Sequence, residues 1–215
     1  MISLKHQFLF IHVPKTGGNS IQNILKDYSE DDIVIMGEHQ DGVERFEVRN
    51  ANYQITKHAT LAEYREVLDR ATFEKLFKFA TLRNPWDMMI SFYFSPHRKV
   101  SAWDRDDFLS LLAETPTLRH YVHCPKVGEK LLGKMGLGAK GSLTQDIDFL
   151  IRFESIDEDF GKVCDRLEIP RVVLPKRNAS SRAHYSSYYD EELVAKVADR
   201  FAEEIEWGGY QFERA

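Results

Sequence analysis

At 215 residues and 43% hydrophobic content, the chain reads as one domain, 1–215, with enough apolar material for a real core. A formal net charge of -5 disfavours a non-specific nucleic-acid binder, which is basic as a rule, although local charge can still hold an anionic small molecule. Cys124 and Cys164 lack metal or disulfide spacing, and the opening MISLKHQFLFIHV is too short for a membrane span and has no signal-cleavage pattern, so a soluble, cytoplasmic protein is expected.

Phe8–Val13 reads as a buried strand. It runs into Pro14-Lys15-Thr16-Gly17-Gly18-Asn19-Ser20, and Ile21, Ile24, Leu25 and Tyr28 then follow at helical spacing. Asp32–Met36 is a second short strand, and a hairpin through Phe46-Glu47-Val48 follows a polar stretch. Tyr53–His58 reads as extended, and Thr60-Leu61-Ala62-Glu63 is a capping box that starts a helix. Phe77–Leu82 is a strong buried strand ending at Arg83-Asn84-Pro85, where Asn84 can cap and Pro85 suits the first helical position. Helices are expected through Met88–Phe94 and Asp107–Glu114. Residues 121–145 are the least patterned and read as a substrate-side loop. Ile147–Phe153 is a strand. Asp159–Leu167 is an amphipathic helix that buries Cys164, whereas Cys124 falls in a polar, loop-like stretch that leaves room for exposure. Arg171–Leu174 is a short extended piece before the loop 175–182, and a last helix from Asp190 stops at Gly208-Gly209.

Strands alternating with helices predict an α/β fold with a mostly parallel central sheet flanked by helices. Ligands then sit at the C-terminal ends of the strands, where both Lys15 and Arg83 fall. The Lys15 segment has the build of an anion cradle. Its glycines let backbone N–H groups turn inward, and the following helix aims its positive dipole end at the same spot. Lys15 and the hydroxyls of Thr16 and Ser20 add charge and donors. The word order excludes a Walker A match, in which glycines precede the lysine.

The segment resembles instead the 5′-phosphosulfate loop of sulfotransferases that use 3′-phosphoadenosine 5′-phosphosulfate (PAPS), with Asn19 where threonine is usual. The resemblance implies a P-loop-like three-layer fold and assigns Pro14, Lys15, Thr16, Gly17, Gly18, Asn19 and Ser20 to the donor's phosphosulfate. Arg83-Asn84-Pro85, with Ser91 eight residues after the arginine, resembles the family's 3′-phosphate motif. A strand-end guanidinium can grip a phosphate bidentately, and a serine two turns into the next helix can donate to it. A late segment, Pro175-Lys176-Arg177 to Arg182 and Tyr185, is similar to the loop that closes over the nucleotide, with Arg182 supplying charge and Tyr185 packing on the base. Phe153-Glu154 resembles a recurring pair of the carbohydrate-acting branch; for Glu154 a capping or structural role is the simpler reading.

Transfer to an alcohol benefits from a group that takes the hydroxyl proton, and histidine suits neutral pH. His58, in Lys57-His58-Ala59-Thr60, ends an extended segment just before a capped helix and matches a His-Ala-Thr segment of bacterial members. His39 and Glu38 are the reserve candidates, and His12 reads as structural. The resemblance implies PAPS as donor, PAP as product, a sugar hydroxyl on a glycan or glycolipid as acceptor, and no metal, since sulfate carries less charge than phosphate. A nucleotide kinase or NTPase and a non-catalytic nucleotide-binding scaffold remain the competing readings.

Overall fold

In the computed structural model, residues 1–36, 46–125, 141–174 and 183–215 are described. Three strands form the parallel heart of a four-stranded sheet: β2 (Phe8–Ile11), β5 (Phe77–Leu82) and β6 (Phe149–Arg152). The order is β1-β2-β5-β6, with the two-residue β1 (Ile2–Ser3) antiparallel at the edge. Register pairs Phe10 with Phe79 and Ala80 with Leu150, so the C-terminal ends of β2 and β5 finish side by side.

Side chains on a strand alternate between the two faces, and both faces here are buried. Phe8, Phe10, Phe79 and Ile151 pack on one side with Ile21 and Leu25 of α1 (Gly18–Leu25) and Phe160, Val163 and Cys164 of α7 (Ile156–Arg166). Leu9, Ile11, Ala80, Leu82 and Leu150 pack on the other with α2 (Leu61–Val67) and α6 (Leu118–Val122). A third cluster joins α4 (Pro85–Tyr93), α5 (Arg105–Glu114) and α8 (Glu191–Arg200) through Trp86, Tyr93, Phe108 and Val197. The chain thus has the expected α/β architecture.

Local chemistry sets the helix starts. Thr60 and Glu63 make the reciprocal capping box of α2. Asp69 caps α3 (Arg70–Lys75), Asn84 caps α4, Asp104 caps α5 and Asp190 caps α8. The last helical pattern is two helices, α8 and α9 (Ala202–Gly208), which break at Phe201; Gly209, at φ +63°, ends the second.

Besides that break, the structure departs from the sequence reading elsewhere. β3 (Asp31–Ile35) does not join the main sheet but pairs antiparallel with β4 (Phe46–Asn50). Tyr53–His58 is not extended, because Ile55 and Ala59 donate to Tyr53 and Thr56 in local turns that lead into the α2 cap. Arg171–Leu174 forms no strand, and Leu174 donates its N–H to Asp157. Cys124 is buried, since the chain after α6 packs it against the sheet core; from the surface side the exposed Arg65 donates to its sulfur at 3.4 Å, and the half-buried Asp146 accepts its N–H.

Candidate active site

β2 ends at Ile11, and His12 to Gly17 turn the chain into α1. The turn needs its glycines. Gly17 has φ +89°, and a Cβ there would lie 2.7 Å from Ile156 Cδ1 and 2.9 Å from Phe153 Cδ2. A Cβ at Gly18 would fall 2.1 Å from the His12 ring. Lys15 also has a left-handed backbone, φ +66°, which is uncommon for a residue with a side chain and is held only by its surroundings. Among the described residues no side chain caps α1, and its first turn carries no acid. The Ser20 N–H donates back to the Gly17 carbonyl at 3.1 Å; no described side chain takes the N–H groups ahead of it, which can meet an anion, whereas side chains cap α2, α3, α4, α5 and α8.

Thr16 is fully buried and its hydroxyl is committed elsewhere. It donates to the Val13 carbonyl at 2.7 Å and lies 2.5 Å from the Thr81 hydroxyl on β5. Its side chain therefore fastens the loop to the neighbouring strand. Pro14, Asn19 and Ser20 are half-buried around the turn. Lys15 Nζ reaches Ser95 Oγ at 3.5 Å, just past the end of α4.

Arg83 brackets the two loops. Its Nη1 donates to the Lys15 carbonyl at 3.0 Å, while Nε and Nη2 donate to one oxygen of Asp87 at 2.8 and 2.5 Å. The guanidinium carbon lies 4.0 Å from the centre of the Phe153 ring, a cation–π contact. Ser91 is half-buried on α4, two turns from Pro85. Glu154 has the structural role its position suggested: one oxygen accepts the Asn84 N–H at 2.7 Å and the other accepts the Tyr210 hydroxyl at 2.8 Å. Burial, and then the Glu154 charge, push the Tyr210 hydroxyl well above its ordinary value, so it stays a donor.

An open cleft of about 390 Å³ adjoins this turn, walled by Asn84, Asp87, Glu154, Tyr185, Tyr210 and Glu213, a size in the range of small-ligand sites. Tyr185 is buried, accepts the Glu213 N–H at 2.9 Å and packs edge-on to Phe212. A second cavity, about 340 Å³, runs along β6 beside Lys162 and Trp207; neither the Lys15 loop nor Arg83 lines either cavity, and the first meets the Arg83 turn through Asn84 and Asp87.

His58 lies within the Thr56–Ala59 turn and meets the residue after β2. Its Nδ1 is 3.0 Å from the His12 carbonyl, and its ring centroid is 4.6 Å from that of His12. A carbonyl only accepts, so Nδ1 carries the proton and the lone pair is at Nε2. Burial pushes the His58 imidazole below its ordinary value; the bond to the His12 carbonyl opposes this, Lys57 adds to it and Glu47 opposes it.

Lys15, Arg83 and His58 thus come to one edge of the sheet, with Tyr185 across the adjoining cleft. Glu38, His39, Lys176, Arg177 and Arg182 lie outside the described residues. Sequence reasoning missed Ser95, Asp87 as the partner of Arg83, and the C-terminal Tyr210 and Glu213. Only Asp87 carried a signal, four residues after Arg83 on a helix start.

The fold and this edge define an α/β protein with a candidate anion site between its first two parallel strands. Residues 1–211 match the Sulfotransferase family, and the chain belongs to that family. Comparison with curated proteins and with solved structures gave no match. Among the described residues no helix is long and apolar enough to cross a membrane.

Proposed function

We propose that this chain transfers the sulfuryl group of PAPS to a hydroxyl of a carbohydrate or glycolipid. The observation that carries the reading is the uncapped, glycine-built start of α1 at the end of β2, flanked by Lys15 and bracketed by Arg83. Backbone N–H groups of residues 17–19, Lys15 and the Ser20 hydroxyl hold the 5′-phosphosulfate. Arg83 and Ser91 hold the 3′-phosphate, and the cleft beside Tyr185 receives the rest of the nucleotide; by the family resemblance Arg182 adds charge to nucleotide binding.

The acceptor oxygen attacks sulfur in line with the bridging phosphate oxygen. The new O–S bond forms as the S–O bond to phosphate breaks, and PAP leaves with the electron pair. Charge grows on that bridging oxygen, where Lys15 and fixed N–H dipoles stabilise it. His58 Nε2 takes the acceptor's proton. As in phosphoryl transfer, positioning and electrostatics supply most of the rate.

The test is transfer of labelled sulfate from PAPS across a panel of sugar and small-alcohol acceptors. Wild type labels a sugar hydroxyl, and His58→Ala lowers turnover about 10²-fold or more with PAP affinity little changed. Wild-type turnover in His58→Ala removes it as the base, and PAP binding with no transfer to any acceptor favours a scaffold.

A further inference from the structure

We propose that His12 is the positioning residue of the candidate base: its carbonyl fixes the proton on His58 Nδ1, and its ring seats His58 against the anion loop. This deepens the reading above and rests on His58 as the base. The sequence alone marked His12 as a structural histidine inside a strand, and the structure gives it a more particular place.

His12 is buried one residue past the end of β2, with three neighbours that matter. Its ring fills the space a side chain at Gly18 would need, at 2.1 Å from the position of a Cβ. It stacks on Phe10, with an interplanar angle of 16°. It also lies 4.6 Å from the His58 ring, and its own carbonyl meets His58 Nδ1 at 3.0 Å. One buried imidazole therefore touches the first residue of α1 and the ring that would accept the proton. A shift of that ring moves the base relative to the phosphosulfate loop, and an error of about 1 Å in such geometry can cost about 10²-fold in rate.

The neighbourhood keeps both rings neutral. His12 Nδ1 and the Gln22 side-chain amide, both buried, have no hydrogen-bond partner among the described residues. Burial holds His12 far below its ordinary value, helped by His58, Lys57 and the chain's amino group; Gln22 acts the other way, from outside hydrogen-bond geometry. The groups facing His58 are His12, Lys57 from its own segment and Glu47 from β4. A neutral His12 contributes stacking and exclusion of water, with no charge of its own.

The experiment is nitrogen-resolved NMR of the histidine rings in the full chain, titrated from pH 8 to pH 5, for wild type, His12→Phe and His12→Ala. Wild type should carry the His58 proton on Nδ1 and titrate below 6.5. His12→Phe keeps a stacked ring, so the His58 midpoint should stay. His12→Ala lets water reach His58; the midpoint should move up towards 6.5, the acid limb of kcat/KM should follow it, and kcat should fall about 10-fold with KM for PAPS within about 2-fold. A wild-type His58 protonated on Nε2 overturns the proposal, as does an unmoved midpoint in His12→Ala. Should the alanine variant not fold, a midpoint in His12→Phe that moves to 6.5 overturns it. If His58→Ala keeps wild-type transfer while the NMR result stands, the base assignment has failed and the placement by His12 has not.

Discussion

The two loops at the ligand edge are built in opposite ways. The turn from β2 to α1 is shaped by backbone: Gly17 and Lys15 sit at positive φ, and no described side chain caps the helix. The turn from β5 to α4 is shaped by side chains: Asn84 caps the helix, Glu154 accepts the Asn84 N–H, and Asp87 holds two arms of Arg83. The first presents helix-start N–H groups that no described side chain occupies. The second has a cation with an acidic partner already in place, so a phosphate must share or replace Asp87. A preorganised loop suits the group on which charge changes during transfer, and an ion-paired arginine suits recognition of the group that does not react.

Substitutions can break that comparison. Lys15→Ala removes the one charge of the backbone-built loop and should lower turnover about 10²–10³-fold, as loss of an oxyanion donor does, with melting temperature unchanged; steady-state transfer from PAPS checks it. Gly18→Ala forces a methyl into the His12 ring and should destabilise the fold by about 1–3 kcal/mol, as overpacking does, together with loss of PAP binding. Arg83→Ala should weaken PAP about 10–100-fold, the range of a charged hydrogen bond lost, while kcat at saturating PAPS falls far less. Asp87→Asn should tighten PAP by about 2–5-fold, a fraction of a charge-assisted bond; weaker binding would show instead that Asp87 orients the guanidinium.

The smallest effect is pH dependence. The folded values of His12 and His58 lie below the ordinary 6.5, so at acid pH the unfolded chain binds more protons than the folded one. Stability should be flat above about 6.5 and fall as pH drops below it, and His12→Phe should reduce that slope in a melting series.

The lysine loop, the arginine turn and the sheet that carries them were legible because short-range chemistry dictates them: glycines where φ is positive, a proline at a helix start, apolar strands. His58 was placed at the ligand edge for the wrong local reason, since it sits in a turn and not at the end of a strand. Its contact with the His12 carbonyl spans 46 residues and no periodicity encodes it. Thr16 read as a ligand donor, but its bond to Thr81 crosses strands 65 residues apart. Tyr210 and Glu213 reach the cleft only because Gly209 turns the chain back. Cys124 looked exposed because the residues that cover it, Arg65 and Asp146, are remote in sequence and close over it from the surface side.

The central claim is a site for a 3′,5′-bisphosphorylated adenosine, and calorimetric titration of PAP without metal tests it most directly, beside ATP with magnesium, on wild type and Arg83→Ala. The account predicts metal-independent PAP binding that exceeds ATP binding and is weakened by the substitution. A preference for ATP with magnesium, or equal PAP affinity in Arg83→Ala, would contradict it.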